Sequence, residues 1–145
     1  MTERKLNISE LIRANIAKAK EIISAREKSV SLLFNAFDEI NQALGGNLEF
    51  TASNVIDNDG DEITRVSVSN KNSGYSENLL WYYFNPEKIF PAMFSYQNII
   101  TARCDSIEDV LAFIERLVTD ENFMIKVVTI SSMNNSEDDA QDIPF

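Results

Sequence analysis

The chain has 145 residues, 44% of them hydrophobic, and a formal net charge of −10. That is the size of one ordinary domain with enough apolar material for a packed core, which excludes a wholly disordered chain. It contains no histidine and a single cysteine, Cys104, which excludes an internal disulfide and serine–histidine or cysteine–histidine catalysis, and leaves a zinc site short of ligands.

The opening "MTERKLNISE" lacks the apolar core of a secretion signal, and the longest apolar run, around Leu79 to Phe84, is too short to cross a bilayer. A cytoplasmic location is expected, and the lone cysteine is compatible with a reducing compartment.

Residues 1–46 read as a helical segment. Ile8, Ile12, Ile16, Ala19, Ile23, Val30, Leu33, Phe37, Ile40 and Leu44 recur at helical spacing and draw one apolar stripe. Asn7 or Ser9 is the expected N-cap, and Gly45–Gly46 end the helix. One unbroken helix over 8–44 would be about 55 Å long, enough for part of it to pack against another copy. A break near Ser29–Ser31 would give two antiparallel helices instead, and the sequence leaves both open.

Residues 47–132 read as an antiparallel sheet with one helix. "LEFTAS" and "TRVSVS" alternate with period two, as half-buried strands do, around the turn cluster "DNDGDE". After the loop "NKNSGYSEN", "LLWYYF" is apolar on both sides and is expected at the centre of the sheet. "NPEKIFP" interrupts it through Pro86 and Pro91, and "AMFSYQNIITA" is read as a fourth strand. Ser106 caps a helix over 106–119 with Glu108 and Asp109 in its first turn, and "FMIKVVTI" is read as a fifth strand. The expected class is α+β: a long N-terminal helix or helical hairpin, an antiparallel sheet of four to five strands, one further helix, and a disordered acidic C-terminal tail over 133–145.

Little in this body points to bond-making chemistry. Asp57, Asp59 and Asp61 resemble part of a calcium loop, but Gly60 stands two positions early and Val68 occupies the place of the bidentate glutamate. A hairpin turn is the stronger reading. Cys104 precedes a helix but has no histidine partner, so a buried, unreactive thiol is expected. No nucleophile–base pair or phosphate-binding glycine loop stands out. The chain is read as a non-enzyme with neither cofactor nor metal.

Binding is the better prospect. Trp81, Tyr82, Tyr83 and Phe84, with Tyr75, Phe90, Phe94 and Tyr96, concentrate aromatic rings, most of which should fill the core. One or two left exposed beside cations would stack nucleobases. The candidate nucleic-acid-binding residues are Lys18, Lys20, Arg26 and Lys28 on the basic N-terminal helix, and Arg65, Lys71, Trp81, Tyr83 and Arg103, with Lys88 a further source of charge.

The chain closes with "SEDDAQDIPF". Its carboxylates favour an extended state, Pro144 restricts the end, and Phe145 as terminal residue would join a ring to a free carboxylate. Such a group fits a pocket with an apolar floor and a cationic rim, and the upstream aspartates would speed its approach to a basic surface. Asp142, Ile143, Pro144 and Phe145, preceded by Asp138 and Asp139, closely resemble the acidic tip of bacterial single-stranded DNA-binding proteins. That resemblance covers about ten residues; the body, opening with a helix, departs from the OB barrel of that family. It implies that Asp138, Asp139, Asp142, Ile143, Pro144 and Phe145 dock on replication, recombination and repair enzymes of a host cell. In element order alone, the body is similar to curved-sheet single-strand binders of the Whirly type.

Three functions are therefore expected, in this order. The first is a divergent single-stranded DNA-binding protein of phage or mobile-element type, a homodimer or higher homo-oligomer, that recruits such enzymes through its tip. The second is an adaptor or decoy that does not bind DNA and occupies the tip-binding pocket. The third is an acidic DNA mimic or immunity-type protein with an incidental tail.

Overall fold

The computed structural model describes residues 2–134, with side chains from residue 7 onward. Helix α1 spans Thr2–Ala43 without a break, about 63 Å at the rise of an α-helix. The alternative of a helical hairpin is thus excluded. Ser29, at the expected break, is buried and turns its hydroxyl back to the Ala25 carbonyl at 2.8 Å, so it sits inside the helix without an orphaned polar atom. Asn7 and Ser9 lie within the helix and cap nothing, since it already runs from Thr2. At the other end Gly46 N–H donates to the Asn41 carbonyl and Gly45 N–H to that of Gln42. Both glycines have positive φ, 100° for Gly45 and 84° for Gly46, the paired reverse bonds by which a helix ends on glycine.

Five strands follow: β1 Leu48–Ile56, β2 Glu62–Asn70, β3 Ser76–Asn85, β4 Ile89–Tyr96 and β5 Ile100–Cys104. They pair in sequence order, each antiparallel to the next, so β3 with its run "LLWYYF" is central as expected. The strand expected over "AMFSYQNIITA" is two strands. Gln97 and Asn98 adopt φ of 48° and 61° and turn the chain back; an asparagine tolerates that conformation better than most residues. Pro91 is not a break but lies within β4, where the pairing slips between Phe84–Ala92 and Asn85–Ile89 and no ladder bond is required of it.

Two helices close the domain. Helix α2 covers Ile107–Val118, with the Ser106 hydroxyl accepting from Asp109 N–H as its cap. The segment "FMIKVVTI", read from sequence as a strand, is instead part of α3, Glu121–Ser131. The Asp120 carboxylate accepts from Phe123 N–H to start it, and Phe123, Val127 and Ile130 fall on one buried face at helical spacing. The body therefore has two helices beyond α1.

All three helices pack on one face of the sheet. Phe37 of α1 stacks on Phe50 of β1 at 4.5 Å between ring centroids, Phe113 of α2 meets Phe94 of β4 at 5.3 Å, and Phe123 of α3 meets Tyr96 at 5.3 Å. Val66, Val68, Leu80, Tyr82, Phe84 and Ala92 complete this layer. The pleat sends the alternate residues to the opposite face, which no described helix covers. Among the described residues no helix is long and apolar enough to cross a membrane.

Candidate nucleic-acid interface

The uncovered face is built from the residues that alternate with the core. Register sets Ser53 opposite Arg65, Arg65 opposite Trp81, Trp81 opposite Ser95 and Ser95 opposite Thr101, one continuous row across all five strands. Beside it Tyr83 lies opposite Met93, and Met93 opposite Arg103. Trp81 and Tyr83 are two residues apart on the same strand, so their rings stand about 7 Å apart along it. Both are half-buried, as is Met93. Trp81, Tyr83, Met93 and Ile63 line a shallow groove of about 230 Å³, together with Asp57 and Asp61.

Cations flank this apolar strip. Arg65 sits in the adjoining strand directly beside Trp81, and Arg103 lies on the outer strand next to Met93. Counting strand spacings of ~4.8 Å and the offset along the strand, the two arginines are about 16 Å apart. Arg103 bonds Asp105 through Nε at 3.3 Å, but both side chains are about two-thirds exposed; such a pair holds the guanidinium only loosely. Ser95 is fully buried and its hydroxyl lies 3.0 Å from that of Thr101, which ties β4 to β5 beneath the strip.

Of the candidates read from sequence, Arg65, Trp81, Tyr83 and Arg103 come together here. Lys18, Lys20, Arg26 and Lys28 belong to α1, on the other side of the sheet. Arg26 has its guanidinium 5.8 Å from the centre of the Phe84 ring, and it lines with Tyr82, Tyr83 and Phe84 a separate pocket of about 440 Å³. Lys71 and Lys88 are exposed in turns. Asp138, Asp139, Asp142, Ile143, Pro144 and Phe145 lie outside the described residues. No family model, curated protein or solved structure matches this chain.

The remaining candidates for chemistry resolve simply. Asp57 accepts from the backbone N–H groups of Asp59 and Asp61 through one carboxylate oxygen, each at 2.9 Å. It thus serves the β1–β2 hairpin, and among the described residues no cluster of acidic, histidine or cysteine side chains is arranged to hold a metal. Cys104 is fully buried, and desolvation, aided by Asp109 and Asp105, pushes its thiol up to about 11. Tyr82, between Trp81 and Tyr83 in sequence but on the core side, is likewise raised above its ordinary pKa, chiefly by burial.

Met93 and Ile63 were missed as site residues. Their signal is the period-two pattern of "AMFSY" and "EITRV", in which they fall out of phase with Ala92, Phe94, Val66 and Val68. Recognising them required knowing which phase faces solvent.

Proposed function

We propose that the chain binds single-stranded DNA across the open face of its sheet and recruits genome-maintenance enzymes through Asp142–Phe145. The observation that carries the first part is the placing of Trp81 and Tyr83 side by side, partly exposed, between Arg65 and Arg103. Flat rings on an uncovered sheet accept unpaired bases by stacking, whatever the sequence, while flanking arginines hold the backbone. A duplex hides its base faces and gains nothing from such a surface. The strip has few cations and the whole chain is acidic, so stacking supplies most of the affinity and phosphate contacts the smaller share.

The second part rests on the likeness of Asp142, Ile143, Pro144 and Phe145, with Asp138 and Asp139 before them, to the tip of bacterial single-stranded DNA-binding proteins. In this reading the protein is a cytoplasmic binding module, not an enzyme, that serves replication, recombination or repair on a phage or mobile element. Its partners are the helicases, nucleases and polymerase accessory subunits that receive such tips.

Fluorescent oligo-dT is titrated with the full chain, with a truncation ending at Ser136, and with Trp81→Ala. The truncation should bind at least as tightly, having shed the carboxylates of Glu137, Asp138, Asp139 and Asp142. Trp81→Ala should bind about tenfold or more weakly, the value of one lost stacking platform. Absence of binding by any form at low salt removes the DNA reading. The adaptor or decoy reading, which the net charge of −10 favours, would then stand. Separately, removal of Phe145 should abolish capture of tip-binding enzymes while leaving the fold intact; capture that survives refutes the docking role.

A further inference from the structure

The N-terminal half of α1 has an apolar face with nothing on it. Every residue from Asn7 to Glu21 is exposed. Ile8, Leu11, Ile12, Ile16 and Ile23 each leave between 51% and 61% of their surface open. These side chains, with Ala19 between them, continue along the helix the same face that Leu33 and Phe37 bury against the sheet. The helix thus carries its core-facing stripe about 22 Å past the end of its own core. A segment of that length is marginal as a helix in water by itself, and isoleucines at this density gain by being covered.

We infer that this stripe is the contact between two copies of the chain, packed antiparallel. It is self-complementary. A two-fold axis between Asn15 and Ile16 sets Ile8 against Ile23 at both ends and Ile12 against Ala19 further in, large against small. Asn15, the one polar residue on the stripe, falls beside that axis. There it meets Ile16 of the other copy and lies within one residue of the other Asn15, so the two amides can pair with each other. A single polar residue in an apolar seam weakens the contact somewhat but fixes its register. The antiparallel sense also keeps the two bodies at opposite ends; side by side, each would obstruct the other's helix. The charged residues Glu10, Arg13, Glu21 and Lys28 point away from the seam. The open apolar surface is on the order of 500 Å² per copy, which over two copies reaches the roughly 1,000 Å² of a specific interface.

A membrane surface fits less well. Residues 7–28 contain no aromatic side chain, and Glu10, Glu21 and Glu27 are interspersed with Arg13, Lys18, Lys20, Arg26 and Lys28. Helices that lie in a bilayer interface favour aromatic anchors and a cationic polar face.

Sedimentation equilibrium of the full chain, with and without anionic phospholipid vesicles, tests this. The wild type should be dimeric at about 100 µM, and Ile12→Glu/Ile16→Glu should raise the dissociation constant about 100-fold or more. Ile8→Ser, further from the axis, should weaken association in the same direction by a smaller factor. Ile125→Glu, the same kind of change on an exposed residue of α3, should leave it unaltered. Far-ultraviolet circular dichroism checks that each variant remains folded. A monomeric wild type overturns the inference, and its co-sedimentation with vesicles would assign the stripe to a membrane instead. Dimers that survive the double substitution, or that Ile125→Glu disrupts, overturn it as well.

Discussion

Asn70 shows how much one buried polar side chain can organise. It is almost fully buried at the end of β2; its amide donates to the carbonyls of Ile130 and Met133, and its oxygen accepts from the N–H groups of Asn72 and Ser73. One residue therefore fastens the end of α3 and shapes the turn into β3. Asn70→Ala orphans several groups at once and should lower stability by about 2–3 kcal/mol, measured by urea unfolding. In sequence, Asn70 is one polar residue in a polar loop, and its role depends on contacts with Ile130 and Met133, far along the chain. Cys104 was easier to read, because a chain without histidine offers it no partner. Its raised pKa follows from burial, and the native protein should not react with a thiol reagent at about pH 8, while the unfolded chain should react at once.

At the scale of elements, local signals suffice for α2 and the first three strands, while for α1 they mark the helix and its glycine end but neither its start nor its continuity past Ser29–Ser31. They failed at α3. Its β-branched residues favour a strand, but Asp120 as cap and the spacing of Phe123, Val127 and Ile130 prevail once a buried face is available. They failed also at the β4–β5 hairpin, whose Gln97–Asn98 turn lacks the glycine that usually announces one. One ion pair helps to hold α3 on the sheet: Lys126 donates to Glu77 of β3 at 2.6 Å, with both side chains mostly covered. The hydrogen bond from Lys126 holds the Glu77 carboxyl below its ordinary pKa of 4.5, and Glu77 raises Lys126 above 10.5. The carboxylate's share of stability is thus full above pH 4.5 and lost as pH falls through the lowered value. The ammonium's share is full below pH 10.5 and lost as pH rises past the raised one. Glu77→Gln should cost about 0.5–1 kcal/mol at neutral pH and progressively less as pH falls below 4.5, measured by thermal melts.

For the whole molecule, the decisive fact is the division of the sheet into a covered and an open face. Periodicity in the sequence separates the two sets of side chains in each strand, but not which set the helices cover. Only the packing of α1, α2 and α3 on the Phe94 side leaves Trp81 and Tyr83 facing out, and only strand order brings Arg65 and Arg103 to either side of them. The basic residues of α1, equally eligible in sequence, fall on the other side. With two arginines as the cations of the strip, the affinity should fall gently with salt, with a log–log slope of about −1.4. Arg65→Ala and Arg103→Ala should each flatten it by about 0.7, measured by titration at several salt concentrations.

Trp81 is the sole tryptophan of the chain, so its fluorescence reports on the open face alone. Titration of the full-length protein with unlabelled oligo-dT at low salt should quench that emission saturably, and added salt should partly restore it. Emission that stays constant, at concentrations where an oligonucleotide is bound or where none binds, would contradict stacking on Trp81.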